Sequence, residues 1–187
     1  RVKAEIRPVF YYGRYRKLAK DVPQTRWPCR SCKGREGGCE SCEGTGLQYP
    51  NSVQDLVGEP IRKALLADDT SFHGMGREDI DVRCLGRGRP FVVEVKKPNI
   101  RTIDLRDVVE QINKEGVGKI EIDSLRSSNR SEVARIKETK AEKSYRIRFE
   151  VHGEVPEDSE TQIANLAGAI LEQRTPKRVA HRRSDLV

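Results

Sequence analysis

The chain has 187 residues, room for one substantial domain or one domain with a small appendage, and is 35% hydrophobic and 35% charged. With 15 Gly and 9 Pro it is too ordinary for a collagen-like or low-complexity chain, and it holds no run of 18 apolar residues that could cross a membrane as a helix. Its formal charge is +7, from 36 Lys+Arg against 29 Asp+Glu, which favours a polyanionic partner over an acidic or neutral one.

The basic excess gathers at the ends. Ten Lys or Arg between Arg1 and Lys33 stand against Glu5 and Asp21, and Arg174, Lys177, Arg178, Arg182 and Arg183 stand against Asp185. Nucleic acid is the simplest partner for such a pattern, with solvated surface charge as the alternative. The first ten residues have no apolar signal core and no Met opens the chain, so a cytoplasmic protein, and a piece of a longer one, is expected. The first stretch also interleaves Phe10, Tyr11, Tyr12, Tyr15 and Trp27 with Arg14, Arg16 and Lys17. Such residues can stack bases and hold phosphates, or form an amphipathic strand packed on the domain; both readings stay open.

Next come Cys29-Arg-Ser-Cys32 and, after six residues, Cys39-Glu-Ser-Cys42. Paired C-x2-C elements on Gly-rich turns (Gly34, Gly37, Gly38, Gly44 and Gly46) bring four thiolates to the corners of a tetrahedron, the donor set of a structural zinc. Two disulfides are the alternative, disfavoured without a secretion signal. With all four positions filled by sulfur, no open coordination site is left for catalysis.

Ser52-Val-Gln-Asp55 resembles a capping box and opens a helix to about Ala67, with Val53, Leu56, Val57, Ile61, Ala64 and Leu65 facing the core. Two strands follow, one alternating over Asp79–Cys84 and one over Phe91–Lys96, with a turn at Gly86–Pro90. Leu105–Glu115 reads as a helix, Lys119–Leu125 as a strand, and Tyr145, Ile147, Phe149 and Val151 as one face of another strand. A last helix is capped by Ser159-x-x-Gln162 and carries the stripe Ile163, Leu166, Ala167, Ile170 and Leu171. No internal repeat is visible. Helices and strands mix without regular alternation, which predicts an α+β fold.

The chemistry is expected around Gly76-Arg-Glu-Asp-Ile-Asp-Val-Arg83, where Asp79 follows Arg77 by two residues after a Gly-rich loop. A loop-to-strand junction can hold a carboxylate at the lip of a cleft, with a guanidinium keeping it ionised and aimed. The same residues also fit an ordinary surface Arg–Asp pair.

The run Phe72-His-Gly-Met-Gly-Arg-Glu-Asp-Ile-Asp-Val-Arg-Cys-Leu-Gly-Arg-Gly-Arg-Pro-Phe91 resembles the signature of the tRNA pseudouridine synthases of the Pus-ten type. The resemblance extends to Tyr12-Gly-Arg-Tyr-Arg-Lys17, Pro23-Gln-Thr-Arg-Trp27, the cysteine knuckle, Lys143-Ser-Tyr145 and Gln173-Arg-Thr-Pro-Lys-Arg-Val-Ala-His-Arg-Arg183. It implies an isomerase without a small-molecule cofactor that converts uridine to pseudouridine at positions 54 and 55 of the tRNA T-loop. Asp79 would be the nucleophile or general base, Arg77 its partner and the filler of the space left by a flipped base, and Tyr145 the ring stacked on the uracil. Lys143, Arg178 and Arg182 would contact the tRNA. The implied fold is part of the synthase catalytic fold, a mixed, largely antiparallel sheet with flanking helices.

Two departures accompany it. The chain is expected to stop short of a family segment resembling Ala-Gly-Thr-Tyr-x-Lys-Glu-Phe and to lack the family's N-terminal RNA-binding domain of the THUMP type. The expected organisation is therefore a joining segment over 1–28, a zinc knuckle over 29–46 and a catalytic domain, incomplete at its C-terminus, over 47–187, acting as a monomer. Two other readings remain: a non-catalytic zinc-containing RNA-binding module, and a D…E-x-K metal-dependent nuclease built from Asp81, Glu94 and Lys96.

Overall fold

The computed structural model describes residues 5–170, which fall into two compact units dividing between Ala141 and Glu142. The first unit is built on four antiparallel strands: β1 (Val9–Lys17), β2 (Ala67–Gly74), β3 (Cys84–Pro98) and β4 (Ile120–Ser128), in the order β2-β3-β1-β4. The predicted α+β class is what is found.

β1 lies inside the sheet, between β3 and β4, and its aromatic alternation is that of a half-buried strand. Tyr11, Gly13, Tyr15 and Lys17 face inward, whereas Phe10, Tyr12, Arg14 and Arg16 stay half-buried on the other side. Two helices, α1 (Val53–Ala64) and α2 (Leu105–Glu115), cover the inward face. Val53, Val57, Ile61 and Leu65 meet Tyr11, Tyr15, Phe91, Val93 and Val95, while Val108 and Ile112 join Ile120 and Ile122. Each large apolar side chain so buried contributes about 1.5–3 kcal/mol.

Local signals hold at both helix starts. The Ser52 hydroxyl oxygen accepts the Asp55 N–H at 3.1 Å, and Asp104 accepts the N–H of Arg106 at 2.7 Å. The first helix stops earlier than the predicted Ala67, because Leu66 turns into the left-handed region (φ 47°) and the chain enters β2.

Several expectations are corrected. The strand over Asp79–Cys84 does not form: residues 75–83 are a loop, with the Val82 N–H turned back to the Asp79 carbonyl at 3.2 Å. Gly86–Pro90 is no hairpin turn but part of β3, whose pairing with β1 jumps from Tyr15↔Arg89 to Lys17↔Cys84. Gly86 and Gly88 have φ of 63° and 70°, which lets the intervening residues bulge outward without ending the strand. The Arg14 guanidinium holds that bulge, donating to the carbonyls of Arg87 and Gly88 at 2.6 and 2.8 Å.

On its other side from β1, β3 pairs with β2, whose polar run hides it in the sequence. It is an edge strand, and its Asp69 and Asp68 pair with Lys96 and Lys97 at 2.9 and 3.1 Å. A third helix, α3 (Arg130–Glu138), starts where Asn129 accepts the Glu132 N–H at 3.2 Å.

In the second unit the predicted strand over Tyr145–Val151 is absent, and Tyr145, Ile147, Phe149 and Val151 are exposed. Within that unit no strand is present among the described residues to complete a ladder, so alternation alone cannot make one. The last helix, α4 (Ser159–Ala164), is short and has Asp158, not Ser159, at its cap; its Gln162 side chain donates to Asp158 at 2.7 Å. Ile163, Leu166 and Ile170 are exposed, and Leu171 lies outside the described residues.

The bulge yields a test. A Cβ on Gly88 would sit 2.8 Å from the Tyr15 carbonyl oxygen, in a left-handed conformation, whereas one on Gly86 would meet open space. Gly86→Ala should lower unfolding free energy by about 1 kcal/mol and Gly88→Ala by roughly 2–4 kcal/mol. Urea denaturation measures both, and equal losses would contradict the bulge geometry.

Candidate active-site loop and metal knuckle

The loop from β2 to β3 is not a strand, and among its residues only Glu78 is buried. Glu78 points inward and is buried, whereas Arg77 and Asp79 on either side are exposed. A polar set beneath the loop holds Glu78. The Tyr15 hydroxyl donates to its carboxylate at 2.8 Å and the Gln24 amide at 3.3 Å, while the Arg89 Nε lies 2.9 Å away as an ion pair. Burial, and then the Glu78 charge, keep the Tyr15 hydroxyl well above its usual pKa, so it remains a donor.

The rest of the loop is tied down through its backbone. Gln24 also donates to the Gly76 carbonyl at 3.1 Å, and Arg89 to that of Met75 at 2.7 Å. The Lys17 Nζ donates to the carbonyls of Asp79 and Ile80, both at 3.0 Å, and to Val22 at 3.1 Å. Burial lowers the Lys17 pKa, and the Glu78 charge opposes that shift. Gln24, Glu78 and Arg89 were not singled out from the sequence as site residues, and Tyr15 and Lys17, grouped there with side chains that could stack bases or hold phosphates, are buried in the strand instead. One signal was present: Lys17 occupies the inward phase of a strand whose other inward side chains are tyrosines.

Arg77 rests on an aromatic base, its guanidinium carbon 5.8 Å from the centre of the Trp27 ring, and Trp27 packs edge-on against Tyr49 at 5.6 Å. Trp27 lies at the foot of the cysteine knuckle. Its carbonyl accepts the Gln48 N–H at 2.9 Å, and Pro28 bridges to Leu47 to close the loop.

In the knuckle the sulfurs of Cys29, Cys32, Cys39 and Cys42 all lie within 4.8 Å of one another. Three of the separations are 3.8 Å (Cys29–Cys39), 3.9 Å (Cys32–Cys42) and 3.7 Å (Cys39–Cys42). A tetrahedral ion with metal–sulfur bonds of about 2.3 Å requires sulfurs roughly 3.8 Å apart, so the quartet fits a metal. The five cysteines, Cys84 included, form no disulfide.

The knuckle also contains a repeat that the sequence reading missed. Cys29-Arg-Ser-Cys32-Lys33-Gly34 and Cys39-Glu-Ser-Cys42-Glu43-Gly44 share the pattern C-x-S-C-x-G ten residues apart. The backbone repeats as well, with left-handed Lys33 and Gly34 (φ 56° and 81°) matched by Glu43 and Gly44 (φ 50° and 79°). Burial tends to raise the Cys42 thiol, but the N–H groups of Cys39 and Gly46, each 3.2 Å from Sγ, outweigh it and bring the pKa down to about 6. Cys42 is therefore prepared as a thiolate ligand.

Arg77 and Asp79 share one loop and the four cysteines one cluster, whereas Lys143 and Tyr145 belong to the second unit. Arg178 and Arg182, with the rest of the 173–183 motif, lie outside the described residues. The nuclease pattern is committed elsewhere: Glu94 lies 3.2 Å from His73 and 3.8 Å from Arg130, and Lys96 pairs with Asp69. No described helix is long and apolar enough to cross a membrane.

Residues 10–187 match the family model described as Pus10, C-terminal. The chain is 48% identical over 187 residues to the tRNA pseudouridine synthase Pus10 of Methanothermobacter marburgensis, covering 99% of this chain and 46% of that protein. It is also 48% identical to the protein of that name from Methanothrix thermoacetophila, and 47% identical to the one from Methanocaldococcus jannaschii, covering 100% and 97% of this chain. It spans 41% and 39% of those two proteins, so less than half the length of each of these relatives.

The quartet predicts about one metal ion per chain after purification under reducing conditions. Cys39→Ser should reduce the content severalfold, and Cys84→Ser should leave it unchanged. Elemental analysis showing no metal, or equal loss in both variants, would refute the assignment.

Proposed function

The chain belongs to the Pus10 C-terminal family, and from that premise we propose that it carries the catalytic centre of a tRNA pseudouridine synthase acting on uridines 54 and 55 of the T-loop. The reaction breaks the C1′–N1 bond of a uridine, turns the uracil and rejoins it through C5; the C5 proton leaves and N1 takes one up, so the product is an isomer of the substrate. Asp79 acts on the sugar as nucleophile or base. Arg77 holds that carboxylate and fills the space of the extruded base; Tyr145 stacks on the uracil and assists removal of the C5 proton. Extrusion is needed because a stacked uridine hides its glycosidic bond, and a stacking ring offsets part of the unstacking cost.

The observation that carries this reading is the display of Arg77 and Asp79 on one face of a loop whose intervening Glu78 is anchored beneath it. A surface Arg–Asp pair of no consequence would need no such buried support. Zinc in a structural role suits the quartet: Cys29, Cys32, Cys39 and Cys42 would hold it through four thiolates, and it would stiffen the foot on which Trp27 and Arg77 rest. In this reading the complete protein is a cytoplasmic monomer, with Lys143, Arg178 and Arg182 on tRNA phosphates, the 1–28 segment joining a further RNA-binding domain and 47–187 supplying catalysis. The nuclease alternative is weakened because Glu94 and Lys96 already hold cross-strand partners.

Asp79→Asn in the complete protein should lower pseudouridine formation by roughly 10²- to 10⁴-fold while sparing tRNA binding. Asp81→Asn, the neighbouring carboxylate, should cost less. Tyr145→Phe should keep the stacking ring and Tyr145→Leu lose it. Position-resolved detection of pseudouridine on unmodified tRNA decides the matter, and wild-type conversion by Asp79→Asn would sink the reading. Binding of tRNA should also weaken steeply as salt rises from low to physiological concentration; an affinity independent of salt would refute the phosphate contacts.

A further inference from the structure

We propose that Lys17 is a positioning residue for the Asp79 carboxylate; this rests on the reading of Asp79 as the group that acts on the sugar. Lys17 is the last residue of β1, an interior strand, and its side chain has no exposure to solvent. An ammonium has three donors and no acceptor. Here all three find backbone carbonyls: those of Val22, Asp79 and Ile80, at 3.1, 3.0 and 3.0 Å. An apolar side chain in that inward position would continue the core at no desolvation cost, so the buried charge is not explained by packing.

What it grips explains it. Binding the carbonyl of Asp79 itself fixes the peptide plane that follows the Asp79 Cα, and binding the Ile80 carbonyl fixes the next one. The Asp21 N–H shares the Ile80 carbonyl at 3.0 Å, closing the same clamp from the chain just beyond β1. On the other side of Asp79, the Glu78 carboxylate is held by Tyr15, two residues before Lys17 on the same face of β1. One strand face therefore pins both flanks of Asp79: the side chain before it and the peptides after it. The origin and direction of the Asp79 side chain are therefore set by β1.

A group that must meet the sugar of an extruded nucleotide is sensitive to this, because an error of about 1 Å in a reacting group can cost on the order of 10²-fold in rate. Lys17 itself is fully buried and offers no contact to a polyanion, so its loss should act on the chemical step and not on binding.

The experiment compares Lys17→Met and Lys17→Arg with wild type in the complete protein, measuring the single-turnover rate of pseudouridine formation and tRNA affinity separately. Ile61→Val, a core change in α1 remote from the loop, serves as the control for general loss of stability. Lys17→Met should reduce the single-turnover rate by roughly 10- to 100-fold with affinity within about twofold of wild type. Lys17→Arg keeps the charge but replaces a point donor with a wider planar fork, and should also lose rate. Should Lys17→Met not fold, Lys17→Arg decides alone. A wild-type rate in either folded variant overturns the proposal, as does an equal loss in Ile61→Val or a loss matched by weaker binding. Asp79→Asn is assayed beside them: an active Asp79→Asn brings down the reading of Asp79, whereas an inactive Asp79→Asn with fully active Lys17 variants brings down the clamp alone.

Discussion

A buried ammonium must find acceptors, and two of the three that Lys17 finds are carbonyls of a segment more than sixty residues away in the chain, the third being that of nearby Val22. Much of the first unit follows from satisfying that demand. β1 has to lie inside the sheet for its inward face to be covered, β2 has to deliver the chain to the level of Lys17, and β3 has to leave again without its first residues obstructing the loop. The bulge at Gly86–Gly88 achieves the last of these, because it absorbs the residues between the Cys84 and Arg89 pairings while keeping both in register with β1. Arg14 and Arg16, facing the opposite way from Lys17, secure the outer side through the bulge carbonyls and through Glu121 and Asp123.

The inward face of β1 passes from apolar to polar along its length. Tyr11 contributes mainly its ring to the core; Tyr15 contributes a ring to Phe72 and Phe91 and a hydroxyl to Glu78; Lys17 contributes a cation. The hydrophobic core therefore ends in a polar network directly beneath the loop that carries Arg77 and Asp79. Glu78 lies in low-dielectric surroundings with Tyr15, Gln24 and Arg89 about its carboxylate, a setting in which removing one partner leaves an uncompensated buried charge.

The parts of this arrangement that the sequence exposes are those with local causes. The helix over Leu105–Glu115 and the start of the helix at Val53 are written in caps and apolar spacing within a few residues, and the metal quartet in the spacing of four cysteines. β2 was invisible because an edge strand paired through Asp68 and Asp69 needs no apolar face along its outer half. The loop at residues 75–83 was misread as a strand for a subtler reason. Its polar–apolar spacing is not matched by burial, since Val82 is exposed together with Asp81 and Arg83; Lys17 holds the segment through the Asp79 and Ile80 carbonyls, and periodicity cannot distinguish a ladder from such a clamp. Tyr145–Val151 shows the converse: the alternation is present and, without a neighbouring strand in its unit among the described residues, no strand follows.

The metal knuckle reaches the same loop by a second route. Left-handed residues at Lys33, Gly34, Glu43 and Gly44 turn each half of the repeat so that its sulfurs face one centre, and Gly38 passes so close to Gly44 that a Cβ would lie 2.4 Å from its carbonyl carbon. That closure sets the path of the chain on either side of the knuckle, through the Cys29–Gly46 and Gln48–Trp27 backbone bonds, and so fixes where Trp27 stands. Arg77 lies over the Trp27 ring, while Glu78 and the Asp79 peptide are held from β1. Three consecutive residues thus take their positions from two independent supports, an aromatic foot at the base of the cysteine knuckle and an interior strand stiffened by a core. An error in either support would shift Arg77 relative to Asp79, so the knuckle and the interior strand are coupled through this loop.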